Sequence, residues 1–325
     1  EGGVVIDFNP EDAEDSTAFD ANLAEQLSEQ ELATVGSELV QAYKDDRLTR
    51  DPWEKAYIKG LTLLGLQIEE RTQPWAGASG VFHPILSEAV TKFVADAMME
   101  TFPASGPVLV KIIGKTDPEK TKQAKRVQKD MNYQCLEVMP EYRDEHEQLL
   151  FHLGVSGSAF KKVYYDRELG RQTAPYVMAE DFVVAYGATN LINCPRVTHV
   201  MKMWPNDLKK KQLSGEYLDI EVPEPTVEYT DIEQKKDKLS GYAPSAEKDD
   251  RHTVLEIHTD YDLPGFEEAD EGGEPTGIKV PYIITIEHHS QKVLSIYRNW
   301  KEEDALKIRR DYFVQYKYLT GPGFY

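Results

Sequence analysis

The chain has 325 residues, with 57 Asp and Glu against 37 Lys and Arg, a net charge of −20, and 40% hydrophobic residues that include 18 Tyr, 11 Phe and 4 Trp. That apolar content can build the core of one large domain or two, and so acidic a chain excludes a general basic face for gripping nucleic acid. The two cysteines, Cys135 and Cys194, show no metal-ligand spacing and read as buried thiols of a reducing compartment, and no apolar run reaches the ~20 residues of a membrane span.

The chain opens at Glu1 without Met or a signal-peptide pattern, which reads as a fragment, a processed chain or an omitted start. Its acidity is uneven. Residues 1–31 hold 10 Asp and Glu with no Lys or Arg, and residues 216–276 hold 19 acids against 5 bases. Both runs read as solvated tail and loop, and residues 1–27 are predicted to be poorly ordered.

A capping box, Ser28 to Glu31, predicts a helix carrying Leu32, Val35, Leu39, Val40 and Tyr43. Asp51-Pro52-Trp53-Glu54 predicts a second helix start, with Pro at the first helical position, running to about Gly65. A third helix is predicted from Pro84 up to Pro103, apolar over a broad face and so buried. The stretch GPVLVKIIGK, residues 106–115, predicts a short strand. Asp117-Pro118-Glu119 caps a lysine-rich helix, and Pro140 restarts a helix that leads to FHLGVSGSAFKK, residues 151–162.

That glycine-serine stretch invites a phosphate-loop reading, which fails twice. Lys161 stands four residues beyond Gly157 rather than directly after it, and a helix runs into the loop instead of out of it. A helix C-terminus repels anions. The expected structure is a glycine cap and turn over Gly154–Gly157. From there the pattern turns to β. AFKKVYYDRELGRQTAPYVMAEDFVVAY predicts strands between turns, and NDLKKKQLSG a short helix capped by Asn206 or Asp207. The Pro-bearing region 216–250 predicts a loop with one helix, Asp231 to Leu239. TVLEIHTDYDL alternates, with Leu255, Ile257, Thr259 and Tyr261 on one face and Glu256, His258, Asp260 and Asp262 on the other. An exposed turn follows, then a hairpin with strands near 281–288 and 292–299. No internal repeat is present. The class expected is α+β: a helical part over about 28–153 followed by a mainly antiparallel β part over about 154–325.

Chemistry-bearing patterns are sparse. G-x-S-x-G, H-E-x-x-H and a P-loop lysine are all absent. The strongest enzymatic candidate is the row His258, Asp260 and Asp262, with Glu256 beside it and His288 and His289 on the hairpin. Such a set could hold a divalent cation for phosphodiester cleavage, but alternation alone also generates it. GASG, residues 77–80, could meet an anion near a helix start or serve as an ordinary loop. The basic helix carrying Lys122, Lys125 and Lys129 reads as a solvated face, or as a surface that meets an acidic segment of another copy.

Several phrases taken together carry a resemblance. WEKAYIKGLTLLGLQIEERTQPWAGASGVFHPILSEAVTKFVADAMMETFPASGPVLVKIIG, residues 53–114, resembles the start of tailed-bacteriophage portal proteins, with Pro84, Glu88-Ala89 and Phe102-Pro103-Ala104 at the matching positions. Gly154, Gly157 and Lys162–Asp166 are similar to the family's glycine turn and the strand after it. Residues 179–199, PYIITIEHHSQKVLSIYRNW and YFVQYKYLTGPGFY continue the series in order, so that the resemblance covers roughly 53–325. It implies a wing-like α+β part of a portal, with stem, clip and crown outside this chain, which ends at Gly321-Pro-Gly-Phe-Tyr325. It also implies a homo-oligomeric, dodecameric ring at one capsid vertex, in contact with the major capsid protein. Terminase would dock there transiently and tail or adaptor proteins later, and double-stranded DNA would pass without sequence-specific binding. No enzyme activity, catalytic residue, cofactor or membrane contact is implied. The location implied is the virion, after assembly in the host cytoplasm.

Overall fold

A computed structural model describes residues 18–64, 75–77, 84–225, 229–241, 250–269, 272–319 and 324–325. In chain order the helices are α1 (Glu29–Thr49), α2 (Asp51–Leu63), α3 (Ile85–Thr101), α4 (Pro118–Tyr133), α5 (Tyr142–Ser156), α6 (Pro205–Leu213) and α7 (Asp231–Leu239). The strands are β1 (Ser158–Lys162), β2 (Tyr164–Asp166), β3 (Arg171–Thr173), β4 (Tyr176–Val177), β5 (Phe182–Val184), β6 (Arg196–Met203), β7 (His252–Tyr261), β8 (Val280–Glu287), β9 (Val293–Arg298) and β10 (Phe313–Lys317). The protein is therefore α+β, with helices first and antiparallel sheets after. It divides into two compact units.

The first unit is built from Glu1–Pro52, Asp181–Gln234 and Ala243–Asp311. Its centre is an antiparallel sheet in the order β5-β6-β7-β8-β9. The alternation of β7 puts Leu255 and Ile257 on one face, opposite Ile286 and Ile284 of β8. Val35, Leu39 and Tyr43 of α1 pack against that face, at the 3–4-residue spacing of a helix stripe. The α1 start is the expected capping box: Ser28 Oγ accepts from the Glu31 amide, and Glu31 Oε2 accepts from the Ser28 amide at 2.8 Å. At its other end the buried Asp46 holds Arg196 at 2.8 Å, and Arg50 donates to the Phe182 carbonyl at 3.1 Å. The opposite sheet face is covered by Leu208 of α6 and by Tyr217, which pack on Val254 and Leu294. The α6 cap position is Trp204 rather than Asn206 or Asp207, because Pro205 already occupies the first turn.

Residues 1–17 lie outside the described residues, but residues 18–27 correct the expectation of an ill-ordered segment. Leu23 and Ala24 are buried in the sheet core. The Asn22 side chain accepts from the Ile296 amide at 2.9 Å and from the Ala24 amide at 3.1 Å, and donates to the Leu294 carbonyl at 3.4 Å. A side-chain amide thus takes backbone groups on the edge strand β9 that would otherwise stay open. Composition shows the acidity of this segment; it does not show that one asparagine closes a sheet edge.

The second unit is built from Trp53–Glu180, Lys235–Tyr242 and Tyr312–Tyr325. Its main sheet has the order β10-β1-β4, and β2 and β3 form a separate hairpin. Helix α5 passes through Gly154 and ends at Ser156, with Gly157 left-handed (φ 83°) as the cap. The expected turn from Gly154 is therefore corrected. Gly154 lies inside the helix at a close approach to α3, where an added Cβ would touch Val90 and Phe93 at about 3.5 Å. Helix α3 is less buried than its composition predicts, since Val90 and Val94 are buried while Ile85 and Met99 are exposed. The predicted strand over 106–115 does not form. The chain there makes no backbone pairing with a described strand, although its neighbours fold as expected. Of the two cysteines expected to be buried, only Cys194 is; Cys135 is half-buried.

Candidate functional site

The acidic row on β7 is the first place to look for chemistry. Pairing of β7 with β8, which a metal site on this face requires, is present. The ligands do not converge. His258 is buried, and its Nε2 lies 2.8 Å from Glu256 Oε1, so the two satisfy each other on a half-covered face. Asp260 stands near the far end of the strand, where partial desolvation of its carboxyl group raises its pKa against the pull of Arg309. Asp262 lies beyond the strand end. The amide of His288 donates to the carbonyl of Thr253, and its ring packs edge-on against Tyr43. Thr253 is five residues from His258, about 17 Å along a strand. Among the described residues no group of three or more His, Cys, Asp or Glu could hold a metal ion. GASG falls mostly outside the described residues, as only Gly77 of it is described.

Near Asp260 lies a cleft of about 310 Å³, lined by Glu268, Lys279, Lys307 and Arg309 among others. Its charges are largely committed. Lys307 pairs with Glu268, and Arg309 donates to the carbonyls of Cys194 and Leu191 at 2.6 and 2.7 Å. With Lys307 neutralised, Arg309 bonded to backbone and Lys279 exposed to solvent, the cleft has little buried positive charge left to recognise an anionic ligand.

The second unit holds a buried cation that sequence reasoning met only as a failed phosphate-loop lysine. Lys161 lies on β1, the middle strand of its sheet, and is 2% exposed. Its Nζ makes no hydrogen bond and stands 3.7 Å from the centre of the Tyr142 ring. The nearby carboxylates are engaged elsewhere: Glu141 in a two-point pair with Arg171, and Glu145 by the Tyr176 amide. Burial lowers the Lys161 pKa to about 8, against the pull of Glu145. An amine that loses its proton so readily can act as a nucleophile, but one this enclosed admits no substrate. It is a structural cation seated on an aromatic face.

Its cost is measurable. The fall from the ordinary 10.5 to about 8 is worth about 3 kcal/mol, and the ring face returns up to about 2. Lys161→Met keeps the apolar stem and is expected to raise stability by about 1 kcal/mol at pH 7. Unfolded lysine keeps its proton up to its ordinary value, so wild-type stability rises as the pH climbs from about 8 to 10.5, and the variant's advantage fades over that window. Thermal melts at pH 7 and pH 10.5 decide this. A variant less stable at pH 7 means that the ring contact outweighs the burial.

The basic helix α4 is the other predicted site. Asp117 Oδ1 caps it by accepting from the Lys120 amide at 2.7 Å, as its sequence implies. Lys122, Lys125 and Lys129 are all exposed. None of the residues of this helix is buried, so the structure leaves the whole element on the surface.

No protein-family model matches this chain, and no curated protein matches it. The functional reading therefore stands on its residues and their geometry.

Proposed function

We propose that this chain is a wing-like part of a tailed-bacteriophage portal, a subunit of the ring through which DNA is packaged and ejected. The observation that carries the reading is the ordered series of sequence blocks from residue 53 to the C-terminus. The folded positions of those blocks support it. Helix α3 stops before Phe102-Pro103-Ala104, and α5 ends at Ser156, is capped by Gly157 and leads into β1 (Ser158–Lys162) and then β2 (Tyr164–Asp166). PYIITIEHHSQKVLSIYRNW forms the β8–β9 hairpin. The net charge of −20 suits a conduit for DNA, because every attractive phosphate contact would slow passage. In this reading the chain works by positioning other proteins and needs interfaces rather than catalysis.

A closed cyclic ring repeats one heterologous interface. Native mass spectrometry of the purified protein, with top-view electron microscopy, tests it directly. The expected result is a closed ring of about twelve copies around a central hole. A monomer or dimer that persists at high concentration overturns the proposal.

A further inference from the structure

The segment from Pro107 to Tyr133 is under-buried for the structure it adopts. Residues 107–113 belong to no helix or strand and alternate in exposure, with Leu109 84% and Ile113 96% exposed. Among the described residues, no backbone group of 109–113 has a hydrogen-bond partner. The segment then turns into α4, 16 residues with none buried, whose Val127 and Met131 lie one turn apart and are also exposed. A helix with no buried face has little to stabilise it in water alone, and the unpaired chain before it adds no backbone pairing.

The two pieces are nonetheless locked to each other. Asn132 of α4 accepts from the Val108 amide at 2.9 Å and donates to the Val108 carbonyl at 3.1 Å. A side-chain amide thus stands in for a neighbouring strand on one edge of residue 108. Gly106 permits the approach, since a Cβ there would lie 2.4 Å from Asn132 Oδ1. The backbone groups of Leu109, Lys111 and Ile113 take no part in that contact. The result is an arm of unpaired chain and helix on which Leu109 and Ile113 stand exposed and the backbone groups of 109–113 have no hydrogen-bond partner among the described residues.

We infer that this arm is a docking surface for a second copy of the same chain. Residues 107–133 hold seven Lys and Arg against three Asp and Glu, a net +4 within a chain of −20, so the rest of each copy carries −24. A partner for the arm needs apolar surface for Leu109 and Ile113, a strand edge or carbonyl groups for the open backbone, and negative charge for Lys122, Lys125 and Lys129. The remainder of this chain offers the charge, with exposed acids such as Glu221, Glu224, Glu302 and Glu303. Nucleic acid would satisfy the lysines but not the apolar residues interleaved with them. Arm on one copy and acidic surface on the next make a head-to-tail contact, in which an added edge strand supplies main-chain hydrogen bonds and the charges fix orientation. The inference shares with the proposed function the premise that copies associate, but not that they close into a ring.

The test places a photoreactive benzoylphenylalanine at Ile113 in the full chain, with peptide mapping of the product. A cross-link to an acid-bearing segment of a second copy is expected. Leu109→Asp/Ile113→Asp is expected to raise the self-dissociation constant at least tenfold in sedimentation equilibrium, with near-ultraviolet circular dichroism unchanged. Lys122→Glu/Lys125→Glu/Lys129→Glu, confined to an exposed face, is expected to act in the same direction. A cross-link only within one copy, a cross-link to co-purifying nucleic acid, or self-association untouched by both variants overturns the inference. A ring that survives both variants sinks the arm and leaves the ring reading standing. Association that is lost in the variants but never forms a ring does the reverse.

Discussion

Lowering the pH from 6.5 to 4 is expected to remove about 4 kcal/mol of stability through two histidines of the second unit. His146 and His152 both lie on α5, and burial holds each pKa at about 4. His146 stacks parallel to the Tyr142 ring, shares a 3.0 Å hydrogen bond with Thr101, and feels the charge of Lys161. His152 stacks on Tyr176 and feels Lys236, which pairs with Glu180 at 2.7 Å. Each stays neutral in the folded protein while its unfolded form takes up a proton below its ordinary value of 6.5. The unfolded state therefore binds more protons between 6.5 and 4, and stability falls with falling pH across that window. About 2 kcal/mol apiece allows for the part of His152 still in contact with water. Chemical denaturation in steps from pH 7 to 4 measures it. His146→Gln/His152→Gln will flatten the slope whatever it does to the absolute stability. A variant with the wild-type slope shows that carboxylates, not these histidines, carry the acid sensitivity.

Gly36→Ala is expected to destabilise the first unit by about 2 kcal/mol. A Cβ at Gly36 would lie 2.1 Å from the carbonyl oxygen of Gln291, in the turn between β8 and β9. The obstacle is backbone, and Gln291 is already held left-handed (φ 58°), so neither side yields cheaply. Overpacking of this kind costs about 3 kcal/mol, and the better helix propensity of alanine returns about 1. Thermal melts against the exposed control Ser37→Ala decide it. Equal melting temperatures mean that α1 can shift away from the turn at no cost.

The sequence by itself determined the elements whose signals are local. The capping box at Ser28–Glu31, the Asp117 cap, the Asp231–Leu239 helix and the β8–β9 hairpin are each specified by residues within a turn or two of one another, and all form. It likewise determined which face of β7 is apolar, because alternation is a property of the strand alone. Tertiary structure decided the rest. The stretch 106–115 has every local mark of a strand, but a strand needs a neighbour and the described fold provides none. Residues 18–27 read as an acidic tail, yet Asn22 finds its bonding partners more than 270 residues away. The β7 acids and histidines share a period but not a place, since the sheet spreads them along its length and folds His258 back onto Glu256. Lys161 is an ordinary lysine in the alternation of β1 until the middle position of that strand buries it. Local propensity is set by neighbours in the chain, whereas burial and pairing are set by neighbours in space.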